Sequence, residues 1–232
     1  TASAMASEFS AIVSGIAGEV GSSTEIQYGF ATYDDYAYGS FGSGGDKPFI
    51  LRQQITDNTA AVQAELSSVP LHSGADGPES TMEALYQGLT GAGYDQNCDG
   101  IYQSSTDVLP FLASASDPFG GTAGQAYSET SSGGGFVGGF GFNENSIPIM
   151  IYATDNYMRD PDAGYGSPGG CPLDARGRSV VGAATDLDAK LIGVSVGWGT
   201  ATSQMNDLAE STGSLYDSDG DGVAETPLVF SW

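Results

Sequence analysis

The stretch "SIPIMIYATD" (residues 146–155) decides the fold. It is apolar almost without a break, and it closes on an acid. A strand with one wet face would alternate apolar and polar residues; a run like this reads as a central strand covered on both faces, as in parallel sheets. Its neighbours agree. "AKLIGVSVG" (189–197) is a second run of the same kind, and "TPLVFSW" (226–232) is a last strand. Between them "ARGRSVVGAATDL" (175–187) and "TSQMNDLAES" (202–211) read as helices. Strands alternating with helices predict an α/β domain with a mainly parallel sheet.

Upstream the alternation continues. Phe9, Ile12, Val13, Ile16 and Val20 form a helical stripe over 5–20. "STEIQYGFATY" (23–33) and "FILRQQI" (49–55) read as strands. "TDNTAAVQAELSSV" opens on a Thr-Asp cap and places Val62, Leu66 and Val69 on one face. "GADGPESTMEAL" (74–85) starts another helix, running to about Thr90. Residues 91–146 are mostly Gly, Ser, Asp and aromatics, a long irregular insertion of the kind that carries function or moves. The 232 residues read as one domain, without repeats.

Composition narrows the function. The net charge is −23, from 29 acids against 6 bases. Nucleic acids and anionic membranes both need clusters of Lys and Arg, so neither is an expected partner. No apolar run approaches the ~18 residues of a membrane span. The acids sit in loops beside Gly and Asn, which favours bound cations. Both cysteines, Cys98 and Cys171, lie in loops rich in Gly, Pro and Asp. They predict one disulfide and an oxidising, extracellular compartment. The Gly and Asp content is that of a secreted bacterial protein.

Parallel α/β sheets bind ligands outside the carboxyl ends of their strands. Asp155 ends "IMIYATD", and Asp34 and Asp35 end "GFATYDD". Asp76 and Glu79 precede a helix, as do Thr1 and Ser3. These are hard oxygen donors, which suit Mg²⁺ or Ca²⁺ rather than Zn²⁺ or Cu²⁺. Asp76 and Glu79 also have a plainer reading, as a capping box on the helix that follows.

These motifs resemble the metal-ion-dependent adhesion site of von Willebrand factor A domains. "TAS" (1–3) looks like the second half of its Asp-x-[Ser/Thr]-x-Ser motif, and "YATD" (152–155) like its last element. "DGPESTMEAL" is similar to the integrin β-subunit I-like branch, as are "GFATYDD" and "ILRQQITDNTAAVQAEL". The likeness covers most of 1–90 and 146–212, but not the 91–146 insertion. It implies a doubly wound, Rossmann-like sheet with helices on both faces. It implies a Mg²⁺ (or Mn²⁺) held by Thr1, Ser3, Glu79 and Asp155. A neighbouring Ca²⁺ would be held by Asp35, Asp76, Glu79 and the Pro78 carbonyl. The paired acids that serve a third ion in integrins are Ala6 and Ser7 here, with Glu8 the nearest substitute. The family's first acid would lie two residues before Thr1, at the end of a central strand that this sequence does not contain. The expectation is a preceding strand between 23–33 and 146–155.

A further cation signal is independent of that resemblance. "DSDGDGVAE" (217–225) sets Asp217, Asp219 and Asp221 at alternate positions, followed by Gly222. This is the first half of an EF-hand loop, with Val223 placed to offer a carbonyl and Glu225 at the ninth position. Leu228 stands where the twelfth-position Glu would be. "DQNCDG" (95–100) repeats the pattern more weakly through Asp95, Asn97 and Asp99.

Other motifs carry less. "GVSVG" (193–197) matches Gly-x-Ser-x-Gly, but Ser195 lies inside a strand and the chain's one histidine, His72, lies upstream, so no hydrolase is expected. The Gly/Phe run "GGGFVGGFGF" (133–142) fits a hairpin or an adhesive tip. The expected function is divalent-cation-dependent binding of a protein or peptide with an acidic group, of the cell-surface adhesion type. The alternative is a Ca²⁺-stabilised extracellular scaffold domain. An enzyme is not expected.

Overall fold

The computed structural model describes residues 2–21, 24–70, 75–111, 134–197 and 199–232, with side chains from residue 6 onward. The elements run α1 (Ala2–Val20), β1 (Tyr28–Thr32), β2 (Ile50–Thr56), α2 (Thr59–Ser67), α3 (Thr81–Thr90), β3 (Ile149–Thr154), a 3₁₀ turn (Pro161–Ala163), α4 (Gly177–Asp186), β4 (Lys190–Ser195), α5 (Thr202–Ser211), β5 (Leu215–Tyr216), β6 (Thr226–Pro227) and β7 (Val229–Ser231).

The alternation of strands and helices holds, and β3, β4 and β7 form a three-stranded parallel sheet. The fold is mixed α/β, compatible with a Rossmann-like arrangement. The sheet is flanked by α3, α4 and α5, and one core joins the layers. Met82, Leu85 and Leu89 of α3 meet Tyr152 of β3, Val180 and Ala184 of α4, Leu191 of β4, and Met205 and Leu208 of α5. Gly193 lets α5 come close, since a Cβ there would stand 3.0 Å from the Met205 sulfur.

Several expectations need correcting. The expected last strand divides: Thr226–Pro227 pairs antiparallel with β5, while Val229–Ser231 pairs parallel with β4. β1 pairs antiparallel with β2, in a sheet of its own. Among the described residues no strand lies between β1 and β3; the Tyr33 hydroxyl donates to the Ala153 carbonyl at 2.7 Å and ties their ends. Among those residues β3 is therefore an edge strand. One of its faces buries Tyr152 in the core, while Ile149 and Ile151 on the other are 56% and 54% exposed. Its near-continuous apolar run reflects neighbours that only one face meets.

The 91–146 insertion, where described, is packed rather than loose. Tyr94, Val108 and Phe111 join Tyr36, Phe49, Leu51 and Ala84 in a second core. The Gly/Phe run folds into a tight turn with Val137 bridged to Phe142. Gly139 donates its amide to the Gly88 carbonyl at 2.9 Å, and the Phe140 ring packs edge-on to Phe49. The turn fits the hairpin reading, and it fastens the insertion to α3. His72 lies outside the described residues, as does Trp198.

Candidate cation sites

The hairpin β5–β6 frames the loop 217–225. Asp217 accepts the Gly220 amide at 2.6 Å on one oxygen and the Gly222 amide at 2.8 Å on the other. Asp219 accepts the Asp221 amide at 3.1 Å, and Asp221 accepts the Val223 amide at 2.8 Å. Gly220 and Gly222 take the φ values of +80° and +91° that such a turn needs. One carboxylate oxygen from each of Asp217, Asp219, Asp221 and Glu225 lies within 4.8 Å of the others. The amides of Gly222 and Gly220 hold the Asp217 carboxyl below its usual range. The sequence expected these residues to converge, and in the structure they do.

The weaker motif folds into the same turn. Asp95 accepts the amides of Cys98 and Gly100, each at 2.8 Å. Asn97 accepts from Asp99 at 3.0 Å, and Asp99 from Ile101 at 2.8 Å. The left-handed residues are here Cys98 (φ +59°) and Gly100 (φ +79°). Cys98 is bridged to Cys171, as expected, and Asp95 and Cys171 exchange backbone hydrogen bonds. Sequence reasoning missed Asp107, whose buried carboxylate closes this loop on the amides of Gln96 and Gln103. It stands one place beyond the twelfth position counted from Asp95, and that offset hid it.

At the ends of β1 and β3 the structure gives a different answer. Three of the four groups expected to hold the neighbouring Ca²⁺ surround the guanidinium of Arg159. Its Nη2 donates to Asp35 at 2.7 Å, to Asp76 at 2.5 Å and to the Pro78 carbonyl at 2.6 Å. Nε reaches the second Asp35 oxygen at 3.2 Å, Nη1 reaches the Gly166 carbonyl, and the group lies over the Phe41 ring. Arg159 thus stands as the cation that these oxygens face. The physical reason is that a carboxylate as buried as Asp35 needs a counter-charge, and Arg159 supplies it. Nothing in the local sequence of Arg159 marked it for this role.

Glu79, the fourth expected ligand, feels the charges of both Asp35 and Arg159. It follows Pro78, and backbone bonds to Tyr157 and Arg159 hold its position. Burial and the charges of Asp35, Asp155 and Asp34 push its carboxyl up to about 7. Glu79 thus shares one electrostatic neighbourhood with Asp35, Asp155, Asp34 and Arg159. The capping-box reading fails: Ser80, not Asp76, holds the N-cap position of α3, and its hydroxyl turns away from the helix to donate to the Asp34 carbonyl at 3.0 Å. Thr1 and the side chain of Ser3 lie outside the described residues, and Ser3 falls in the first turn of α1. Glu8 is exposed on α1.

Ser195 is buried at the end of β4 and bonded to the Thr202 hydroxyl at 3.1 Å. Sequence reasoning also missed Glu83, buried in α3. It accepts from Gln87 at 2.8 Å and from the Ala175 amide at 2.7 Å.

Compared with protein-family models and with curated proteins, the chain matches none.

Proposed function

We propose that this chain is an extracellular Ca²⁺-binding module that binds or supports other molecules rather than catalysing a reaction. One observation carries the reading: four carboxylates of the 217–225 hairpin present oxygens within 4.8 Å of one another. Backbone amides already orient three of them, so a hard cation with 6–8 oxygen ligands would meet a preformed half-shell. The Val223 carbonyl would add to it. The Cys98–Cys171 bridge supports an oxidising compartment. Thermal unfolding in EDTA, Ca²⁺ and Mg²⁺ tests this. Ca²⁺ should raise the midpoint, and Asp217→Ala with Asp219→Ala should remove most of that rise. An unchanged rise in the double variant would refute the hairpin as the site.

A second reading is favoured by the shared charge of Glu79, Asp155 and Asp34. Here Mg²⁺ or Mn²⁺ bound by Thr1, Ser3, Glu79 and Asp155 would keep one coordination position open for an acidic group of a protein or peptide partner. This is the adhesion-type function of von Willebrand A domains. The neighbouring Ca²⁺ drops out of it, because Arg159 holds that place. Glu79→Ala or Asp155→Ala should abolish Mg²⁺-dependent binding of an acidic peptide with little change in fold. Binding that survives both substitutions would remove this reading and leave the first intact.

A further inference from the structure

Arg159 is a heavily bonded, buried cation. Arg159 is 4% exposed, and Asp35 is 1% exposed. Three oxygens from two separate segments lie 2.5–2.7 Å from the single nitrogen Nη2. Those distances overlap the upper end of the 2.3–2.6 Å at which Ca²⁺ takes oxygen ligands. The oxygens are also of Ca²⁺ type: two carboxylates and a backbone carbonyl. The backbone of the same residue donates to the Glu79 carbonyl at 2.7 Å. Arg159 therefore grips the 76–79 turn through side chain and main chain together.

We propose that Arg159 is a resident cation, covalently part of the chain, that does at the 76–79 turn what a bound Ca²⁺ would otherwise do. It is a positioning residue. It pairs with Asp35 and Asp76, fixes the Pro78 carbonyl, and so holds the backbone of Glu79 in place whether or not divalent ions are present. Ca²⁺ sensitivity is then left to the acidic turns, above all 217–225, and the strand-end locus keeps its shape when Ca²⁺ is withdrawn. The inference goes beyond both functional readings, since neither gives Arg159 a role.

The test is to remove the guanidinium and offer the ion. Arg159→Ala leaves Asp35, Asp76 and the Pro78 carbonyl facing a vacated, buried position. Its thermal midpoint in EDTA should fall by roughly 10 °C, as loss of one partner of a buried pair implies. Ca²⁺ should restore at least half of that fall. Calorimetric titration should show one more Ca²⁺ per chain in Arg159→Ala than in the unsubstituted protein, and adding Asp76→Ala should remove the extra site. Equal stoichiometry in the two proteins, with a fall that Ca²⁺ does not mend, would overturn the proposal and reduce Arg159 to a packing residue. If Arg159→Ala does not fold in EDTA, Arg159→Met, which keeps the stem, is refolded from urea with and without millimolar Ca²⁺. Recovery only with Ca²⁺ supports the proposal, and failure in both buffers overturns it. The outcome is independent of the hairpin, because the comparison counts added ions rather than bound ions.

Discussion

At the scale of single residues, two buried charges organise the interior, and neither was legible in the sequence. Glu83 directly follows a residue of the apolar stripe Met82, Leu85, Tyr86 and Leu89, where periodicity expects the side chain to face water. The stripe itself was legible and packs as expected. What periodicity could not see is that α3 is covered on its other side as well, by Tyr36 and by the chain around Ala175, from distant parts of the sequence. Arg159 was hidden for the same reason, since Asp35, Asp76 and Pro78 lie 81–124 residues away. Burial pushes the Glu83 carboxyl up to about 7, against the hydrogen bonds it accepts from Gln87 and Ala175. A carboxyl whose folded pKa is raised favours the protonated native state. Between about 4.5 and 7 the folded chain therefore binds more protons than the unfolded one, and stability rises as pH falls. Glu79 acts in the same direction over a similar window. Thermal midpoints in EDTA should increase from pH 8 to pH 5.5, and Glu83→Gln should flatten that slope. A slope identical in the variant would clear Glu83 of the role.

At the scale of elements, turns were read well and strand surroundings were not. The Asp-x-Asp-x-Asp-Gly pattern is local: alternate side chains cap the amides two places on, so its geometry is legible in the sequence. The weaker copy at 95–100 shows how far this goes, with Cys98 accepting the left-handed conformation that Gly220 takes in the other turn. The place of β3 depended on which strand lies beside it, and its own residues do not encode that. Nor did the Gly/Phe run announce its partner. Gly139 sits so close to α3 that a Cβ would stand 2.1 Å from the Gln87 carbonyl oxygen. Gly139→Ala should push the turn off the helix, loosen Phe140 and cost about 3 kcal/mol in urea unfolding. A methyl at Gly182 in α4 would meet nothing within 4 Å, so Gly182→Ala is the control. It should be neutral or gain up to about 1 kcal/mol. Equal costs at the two positions would show that helix contact is not what selects Gly139.

At the scale of the whole molecule, the α/β class and the disulfide were legible, because both follow from composition and alternation along the chain. The strand-end site was legible only in its oxygens, since a chain's own arginine can stand where a family likeness expects an ion. The acid excess was legible too, and its consequence reaches the edge strand. Among the described residues β3 has a free edge and carries Ile149 and Ile151 in the open, with Ile147 beside them at 67% exposure. A free apolar edge is a template for another chain. What keeps two such edges apart in solution is mutual repulsion between molecules of charge −23. Near the isoelectric point, about 4.1, that repulsion vanishes. Light scattering on acidification should show colloidal instability setting in well before unfolding, with Ile151→Lys delaying the onset. On that account the acid excess is, seen from β3, a guard against precipitation.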